Sequence, residues 1–215
     1  MIYFLSDLHG KINHSGIEKY LKIAGNDDLL IILGDLGLWF AEHEDYMEFT
    51  EWFLSLDKDI AFLDGNHEKY SILFKFPEEE QYGGRVRRLT KHIVYLQRGY
   101  AYNIQGSSFF VMGGCKSSCK WKSMGLWEAE EVPSADEIAK GYANLKKFGN
   151  SFDYILTHKY SAEIKENTDD IELQKISRYI DKNVTFKNWY SGHSHKNEIL
   201  DSRHTVVFDI LTKIE

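Results

Sequence analysis

Short apolar runs recur along this chain, and most of them end in the same kind of turn. IYFL (2–5), LLIIL (29–33), DIAFL (59–63), FFVM (109–112) and FDYIL (152–156) are four or five residues long and almost uninterrupted by polar side chains. Runs so short and continuous suit strands buried on both faces rather than strands with one wet face. Between the first three lie segments with helical spacing, one through Ile17, Tyr20, Leu21 and Ile23, the other through Tyr46, Phe49, Trp52, Phe53 and Leu56. Strand, helix, strand, helix, strand predicts a parallel sheet with right-handed crossovers. Residues 85–113 carry further β-like runs (VRRL, HIVYL, YAYNI, SFFVM), which predict hairpins or a second sheet. Pro133-Ser134-Ala135-Asp136-Glu137 reads as a helix start, with Ser134 as N-cap and Glu137 at the capping-box position. No repeat, low-complexity tract or Pro/Gly-rich linker divides the 215 residues, so one domain over 1–215 is expected.

Composition narrows the function classes. A net charge of −7 offers no general attraction to phosphate backbones or anionic lipid, so stable nucleic-acid binding and membrane association are not expected. A local cationic or metal site can still take a phosphate. Cys115 and Cys119 are the two cysteines, too few for a disulfide framework, and a cytoplasmic location is expected. MIYFLSDLHG has no basic lead and only four apolar residues after Met1, unlike a signal peptide or a membrane span.

The chemistry lies where the runs stop. IYFL is followed by Ser6-Asp7-Leu8-His9-Gly10, LLIIL by Gly34-Asp35-Leu36-Gly37, and DIAFLD by Gly65-Asn66-His67-Glu68. FDYIL is followed by Thr157-His158-Lys159, and FKNWY by Ser191-Gly192-His193-Ser194-His195. In an open α/β sheet the carboxyl ends of the strands line one edge, where ligands bind, so these turns are expected to converge. Taken alone, each turn has an ordinary explanation in capping or turn formation. Together, five of the nine histidines fall in turns after apolar runs, beside Asp7, Asp35 and Asn66. That inventory suits two metal ions with Asp35 as the bridge. Extended backbone through Asp7-Leu8-His9 and through His193-Ser194-His195 would put each pair of ligands on one face. Oxygen and nitrogen donors without thiolate favour manganese first, with iron, zinc or nickel as the other candidates.

These residues resemble the calcineurin-like metallophosphoesterase superfamily, particularly its small bacterial and prophage-type members. Its pattern of Asp-x-His, Gly-Asp, Gly-Asn-His-Asp/Glu, a lone His and Gly-His-x-His is met by DLH (7–9), GD (34–35), GNHE (65–68), His158 and GHSH (192–195). The resemblance implies an α/β fold, a four-layer α/β/β/α sandwich of two mixed sheets flanked by helices. It implies that Asp7, His9, Asp35 and His195 bind one divalent ion, and that Asp35, Asn66, His158 and His193 bind the other. His67 is implied as the non-ligand histidine that faces substrate. Leu38 stands where many members carry a second acid, and the Arg-Gly of the phosphoprotein-phosphatase branch is missing. Asp64 and Glu68 are the candidates to orient His67 in its place.

The activity so implied is hydrolysis of phosphomonoesters or phosphodiesters, on a phosphorylated small-molecule or nucleotide-like substrate. Two cations would make hydroxide available near neutral pH for in-line attack on phosphorus, with His67 as general acid. The alternatives are a nuclease acting on polynucleotide ends and a metal-binding scaffold without turnover. Several other groups are candidates for substrate contact: Arg85, Arg87 and Arg88; Lys116, Lys120, Lys122 and Lys159; and the rings of Trp39, Phe40, Trp121 and Trp127. Each has an ordinary reading as solvated edge, surface insertion or core.

Overall fold

The structure is a computed structural model, and it describes residues 1–11, 14–41, 43–164 and 170–214. β1 (Ile2–Leu5), α1 (Ser15–Ile23), β2 (Leu29–Leu33), α2 (Glu44–Leu54) and β3 (Ile60–Leu63) alternate as the sequence predicts. After them come a single helical turn, α3 (Tyr70–Leu73), then β4 (Glu78–Gln81), β5 (Gly84–Arg88), β6 (Ile93–Leu96), β7 (Tyr100–Ile104) and β8 (Ser107–Met112). The rest comprises α4 (Cys119–Ser123), α5 (Ala135–Lys147), β9 (Tyr154–Thr157), α6 (Ile171–Asn183), β10 (Asn188–Ser191), β11 (Glu198–Ile199), β12 (His204–Val206) and β13 (Thr212–Lys213).

Two mixed sheets result. One has the order β13-β1-β2-β3-β6-β5-β4, the other β11-β12-β10-β9-β8-β7. β1, β2, β3 and β6 run parallel in the first, and β8, β9, β10 and β12 run parallel in the second. The β-like runs of 85–113 therefore do not form one unit: β5 and β6 extend the first sheet, and β7 and β8 begin the second. Among the described residues no helix is long and apolar enough to cross a membrane.

Side chains that alternate along each buried strand explain the layering. Phe4, Ile31, Leu33, Ala61, Leu63, Val94 and Leu96 face Tyr102, Phe109, Val111, Tyr154, Leu156 and Tyr190 of the other sheet. Their neighbours Leu5, Leu30, Ile32, Ile60, Phe62 and Tyr95 turn outward, onto Ile17 and Tyr20 of α1 and Phe49 and Phe53 of α2. On the far side Phe110, Met112, Ile155 and Trp189 pack under Ile138 and Leu145 of α5 and Ile176 and Ile180 of α6. Helix, sheet, sheet, helix is the four-layer order expected. α5 starts on the capping box, with Glu137 N donating to Ser134 Oγ and the Glu137 carboxylate accepting from Ser134 N.

One buried polar cluster ties the sheets together behind β3. Arg98, 1% exposed, donates from Nε to Asp64 Oδ2 at 2.6 Å and from Nη2 to Tyr70 Oη at 2.9 Å. Asp64 also accepts from Tyr95 Oη, and Arg98 reaches the carbonyl of Glu131. Burial of this pair is tolerable because nearly every lone pair and N–H has a partner. Removing one member leaves the other charged and dry. Arg98→Ala should lower folding stability by about 3–5 kcal/mol, read as a fall in urea midpoint at unchanged m value.

Candidate metal centre

The five strand-end turns meet at one edge of the two sheets, held by backbone hydrogen bonds between turns. Asp7 N, His9 N and Gly10 N donate to the carbonyls of Gly34, Asp35 and Leu36, so the turn after β1 is zipped onto the turn after β2. The turn after β3 is drawn in by Asp35, whose Oδ1 accepts from Asn66 N at 2.7 Å and His67 N at 2.9 Å. Gly65 allows that approach, because a Cβ there would run into the Asp35 carboxylate. The turn after β10 is attached by His193 N, which donates to Asp7 Oδ2 at 2.9 Å, and by Gly192 N to the carbonyl of His158. Gly192 sits against Ser6 and Asp7 with no room for a side chain.

The backbone is not extended at the ligand pairs. Asp7, His9, Asp35, His193 and His195 have φ of 57°, 49°, 52°, 69° and 52°, all in the left-handed region. The expectation that extended geometry aligns Asp7 with His9 and His193 with His195 is corrected accordingly. Each residue instead turns the chain so that a short polar side chain points back over the strand ends. Asp and His tolerate this region better than most residues, at about 1–3 kcal/mol each.

The side chains gather into two groups that share Asp35. Donor atoms of Asp7, His9, Asp35 and His195 all lie within 4.8 Å of one another, as do those of Asp35, His158 and His193. His9 Nε2 and His195 Nε2 are 2.9 Å apart, and His158 Nε2 and His193 Nδ1 are 3.1 Å apart. The two Asp35 oxygens face different groups, Oδ1 toward His158 Nε2 at 3.4 Å and Oδ2 toward His9 Nε2 at 3.7 Å. Asn66 lines the same cleft, and its Nδ2 donates to Ser117 Oγ, which leaves Oδ1 as a free acceptor. His158 gives its Nδ1 to the carbonyl of Leu33 at 2.8 Å and so presents Nε2 to the site.

Charge follows burial and partners. Burial lowers His193 to about 3 and His9 to about 4, so both rings are neutral, lone pairs in place, at physiological pH. Burial would lower His158 too, but the Asp35 carboxylate beside it more than offsets this and holds it at about 9. Asp35 stays ionised well below the usual carboxylate range: burial opposes this, and His158 more than compensates. A hydrogen bond to Asp7 raises His195.

His67 lies beside the groups, its ring centroid 4.7 Å from that of His9. Neither candidate carboxylate orients it. Asp64 is engaged with Arg98, Tyr70 and Tyr95, and Glu68 accepts from Leu36 N and Gly37 N. Leu38 is buried in the core under α2. Ring packing against Phe40 and Trp121 positions His67 instead, at centroid separations of 4.5 and 4.7 Å.

The groups open into a cleft of about 610 Å³, lined among others by Lys11, Tyr46, Lys116, Ser118, Trp121 and Lys159. Segment 113–134 is thus a wall of the site. It is pinned where Ser117 N donates to the Glu131 carboxylate and where Glu128 accepts from Ser71. Arg87 and Arg88 do not reach the cleft: they bind Glu78 and Glu79 across the β4–β5 pair. Trp39 stacks on Phe76, and Trp127 lies under Lys122. Cys115 is buried, 3.8 Å from His193 Nε2, and burial pushes its thiol up, so it offers no thiolate. Tyr46 in the lining and Phe208, stacked on His195 at 5.3 Å and 7°, carried no sequence signal.

A family model for calcineurin-like phosphoesterases matches residues 1–197. The chain belongs to the calcineurin-like phosphoesterase family. A search of curated proteins gives no match. Calcineurin-like phosphoesterases hydrolyse phosphoesters with divalent metal ions, and this chain's donors fit such ions. Asn66 Oδ1 is buried without a hydrogen-bond partner, and Asp7 Oδ1 has only the His195 ring, at 3.3 Å, a costly state unless a cation completes it.

Binding a cation at His158 requires loss of the proton held there at about pH 9. Metal uptake at about pH 7.5 should therefore release a proton, and apparent affinity should rise about tenfold per pH unit up to about pH 9, then level. Titration calorimetry in two buffers of different ionisation enthalpy measures the release, and zero protons would remove His158 from the ligand set.

Proposed function

We propose that this protein hydrolyses phosphomonoesters or phosphodiesters of small-molecule or nucleotide-like substrates, using two divalent metal ions. One observation carries the reading: a single carboxylate, Asp35, stands between two donor groups, with a non-ligand histidine beside them in the same cleft. Asp7, His9, Asp35 and His195 would hold one ion, and Asp35, Asn66, His158 and His193 the other. When bound, such ions neutralise phosphate charge and make hydroxide available near neutral pH. The oxygen and nitrogen donors favour manganese, with iron, zinc or nickel as alternatives. Free Cys115 and Cys119 support a cytoplasmic setting, and the whole of 1–215 is taken as one domain.

The chain's own groups then divide the work. Amides of Asn66 and His67 fix the Asp35 carboxylate, and the Leu33 carbonyl fixes the His158 tautomer. His67 is the proton donor to the leaving oxygen. Burial lowers its pKa, so it parts with a proton readily and holds one best with an anionic phosphate alongside. Activity that needs this acid form falls as pH rises through its pKa. A net charge of −7 supports small substrates over polynucleotide ends.

His67→Ala should retain both metals and lower kcat on an alkyl phosphate ester about 10²–10⁴-fold. A p-nitrophenyl ester, whose leaving group needs no proton, should lose far less, and the alkaline limb of the pH profile should flatten. Full turnover of the alkyl ester would end the acid role. Asp35→Asn should bind fewer metal ions by elemental analysis and lose turnover. A manganese-loaded protein silent on mono- and diesters alike would instead be a metal-binding scaffold.

A further inference from the structure

If His67 delivers the proton, as proposed above, the leaving group must occupy the His67 side of the phosphorus, and on that side the cleft is walled by aromatic rings. Phe40, buried against His67, stands between two half-buried rings that line the opening, Tyr46 at 5.9 Å and Trp121 at 6.0 Å. Tyr46 lies over Gly10, where a Cβ would strike its ring, and so is held close to the His9 turn. Trp121 is presented by α4, whose segment is pinned by the Glu131 and Glu128 contacts already described. Cations line the same cleft: Lys11 and Lys116, and Lys159, whose charge acts on the His193 ring.

We infer that the leaving group is the nucleoside part of a mononucleotide, its base stacked on Trp121 and its phosphate directed at the Asp35 groups. Aromatic rings of protein hold any base by its π-face, without regard to its hydrogen-bonding edge. A volume of about 610 Å³ falls in the range of small-molecule sites. Ser118 and Lys116, both exposed in the lining, offer polar contacts for a sugar. The wall formed by segment 113–134 favours a small substrate over a phosphorylated side chain on a folded protein. This assignment rests on the phosphoesterase reading and adds the substrate class to it.

The test compares adenosine 5′-monophosphate with ribose 5-phosphate, the same ester without the base, and with a phosphotyrosine peptide, all with manganese. The wild type should prefer the nucleotide over ribose 5-phosphate by roughly tenfold in kcat/KM, the size of one base–aromatic stack. Trp121→Ala should abolish that ratio, and Trp121→Phe should keep most of it. Equal kcat/KM for the two in the wild type would overturn the inference. So would a ratio that survives Trp121→Ala while both rates fall together, since Trp121 then only supports His67. Faster turnover of the peptide would assign the ring wall to aryl esters instead. If none of the three reacts but bis(p-nitrophenyl) phosphate does, the nucleotide assignment fails and the phosphoesterase reading stands. If that diester is also inert with two metals bound, both fail.

Discussion

The Asp35 carboxylate is almost wholly buried at the point where the strand-end turns converge, and the other turns take their orientation from it or from its neighbours. Left alone in such a place, a carboxylate would be neutralised or expelled. Here two amides from the turn after β3 and the imidazole of His158 compensate it, which fixes the carboxylate and draws those turns inward. The arrangement is strained, with left-handed backbone at Asp7, His9, Asp35, His193 and His195. Its support comes from the three apolar clusters behind the site, which hold the strand ends in place whatever the turns prefer.

The turn that carries Asn66 and His67 is braced on both sides. Below it, Asp64 is locked by Arg98, Tyr70 and Tyr95, and Tyr70 Oη also donates to the Gly65 carbonyl. Above it, Glu68 accepts from the amides of Leu36 and Gly37 and so joins the turns after β2 and β3. Burial raises Glu68 to about 8, the consequence of placing a second acid so near Asp35. Asp64 is taken up by side chains and Glu68 by main chain, which leaves His67 without an acidic partner. With Leu38 in the core where other members place an acid, ring contacts with Phe40 and Trp121 do the orienting. Burial then lowers the His67 pKa with no adjacent hydrogen-bonded carboxylate to restore it.

Residues beyond the family match also shape the site. Phe208 stacks on His195, its carbonyl accepts from Ser6 N, and its own N–H is held by Asn197 Oδ1. β13 closes the β1 edge of the first sheet. On the opposite side, segment 113–134 supplies Ser117 to Asn66 and Trp121 to His67, so one segment touches both a candidate ligand and the candidate acid.

The sequence by itself determined the buried strands and the donor inventory, because these rest on local properties, whereas the layer order came from the family resemblance. A continuous apolar run specifies a strand buried on both faces, and Asp, Asn, His and Gly at its end specify a turn with metal-type donors. It was silent wherever pairing decides the outcome. β4 reads EEEQ, with no strand character until Arg87 and Arg85 lie opposite Glu78 and Glu80, and β11 to β13 are two- or three-residue strands made by their neighbours. Arg98 gave no signal because its partners lie 28 to 39 residues away in the chain. The left-handed turns were misjudged as extended, since Asp and His do not announce the sign of φ. Only the tertiary structure decided how the turns bring these histidines around Asp35 and what orients His67. Those outcomes depend on contacts across the gap between two sheets, and the free energy that fixes them belongs to the assembled core and to no single stretch of chain.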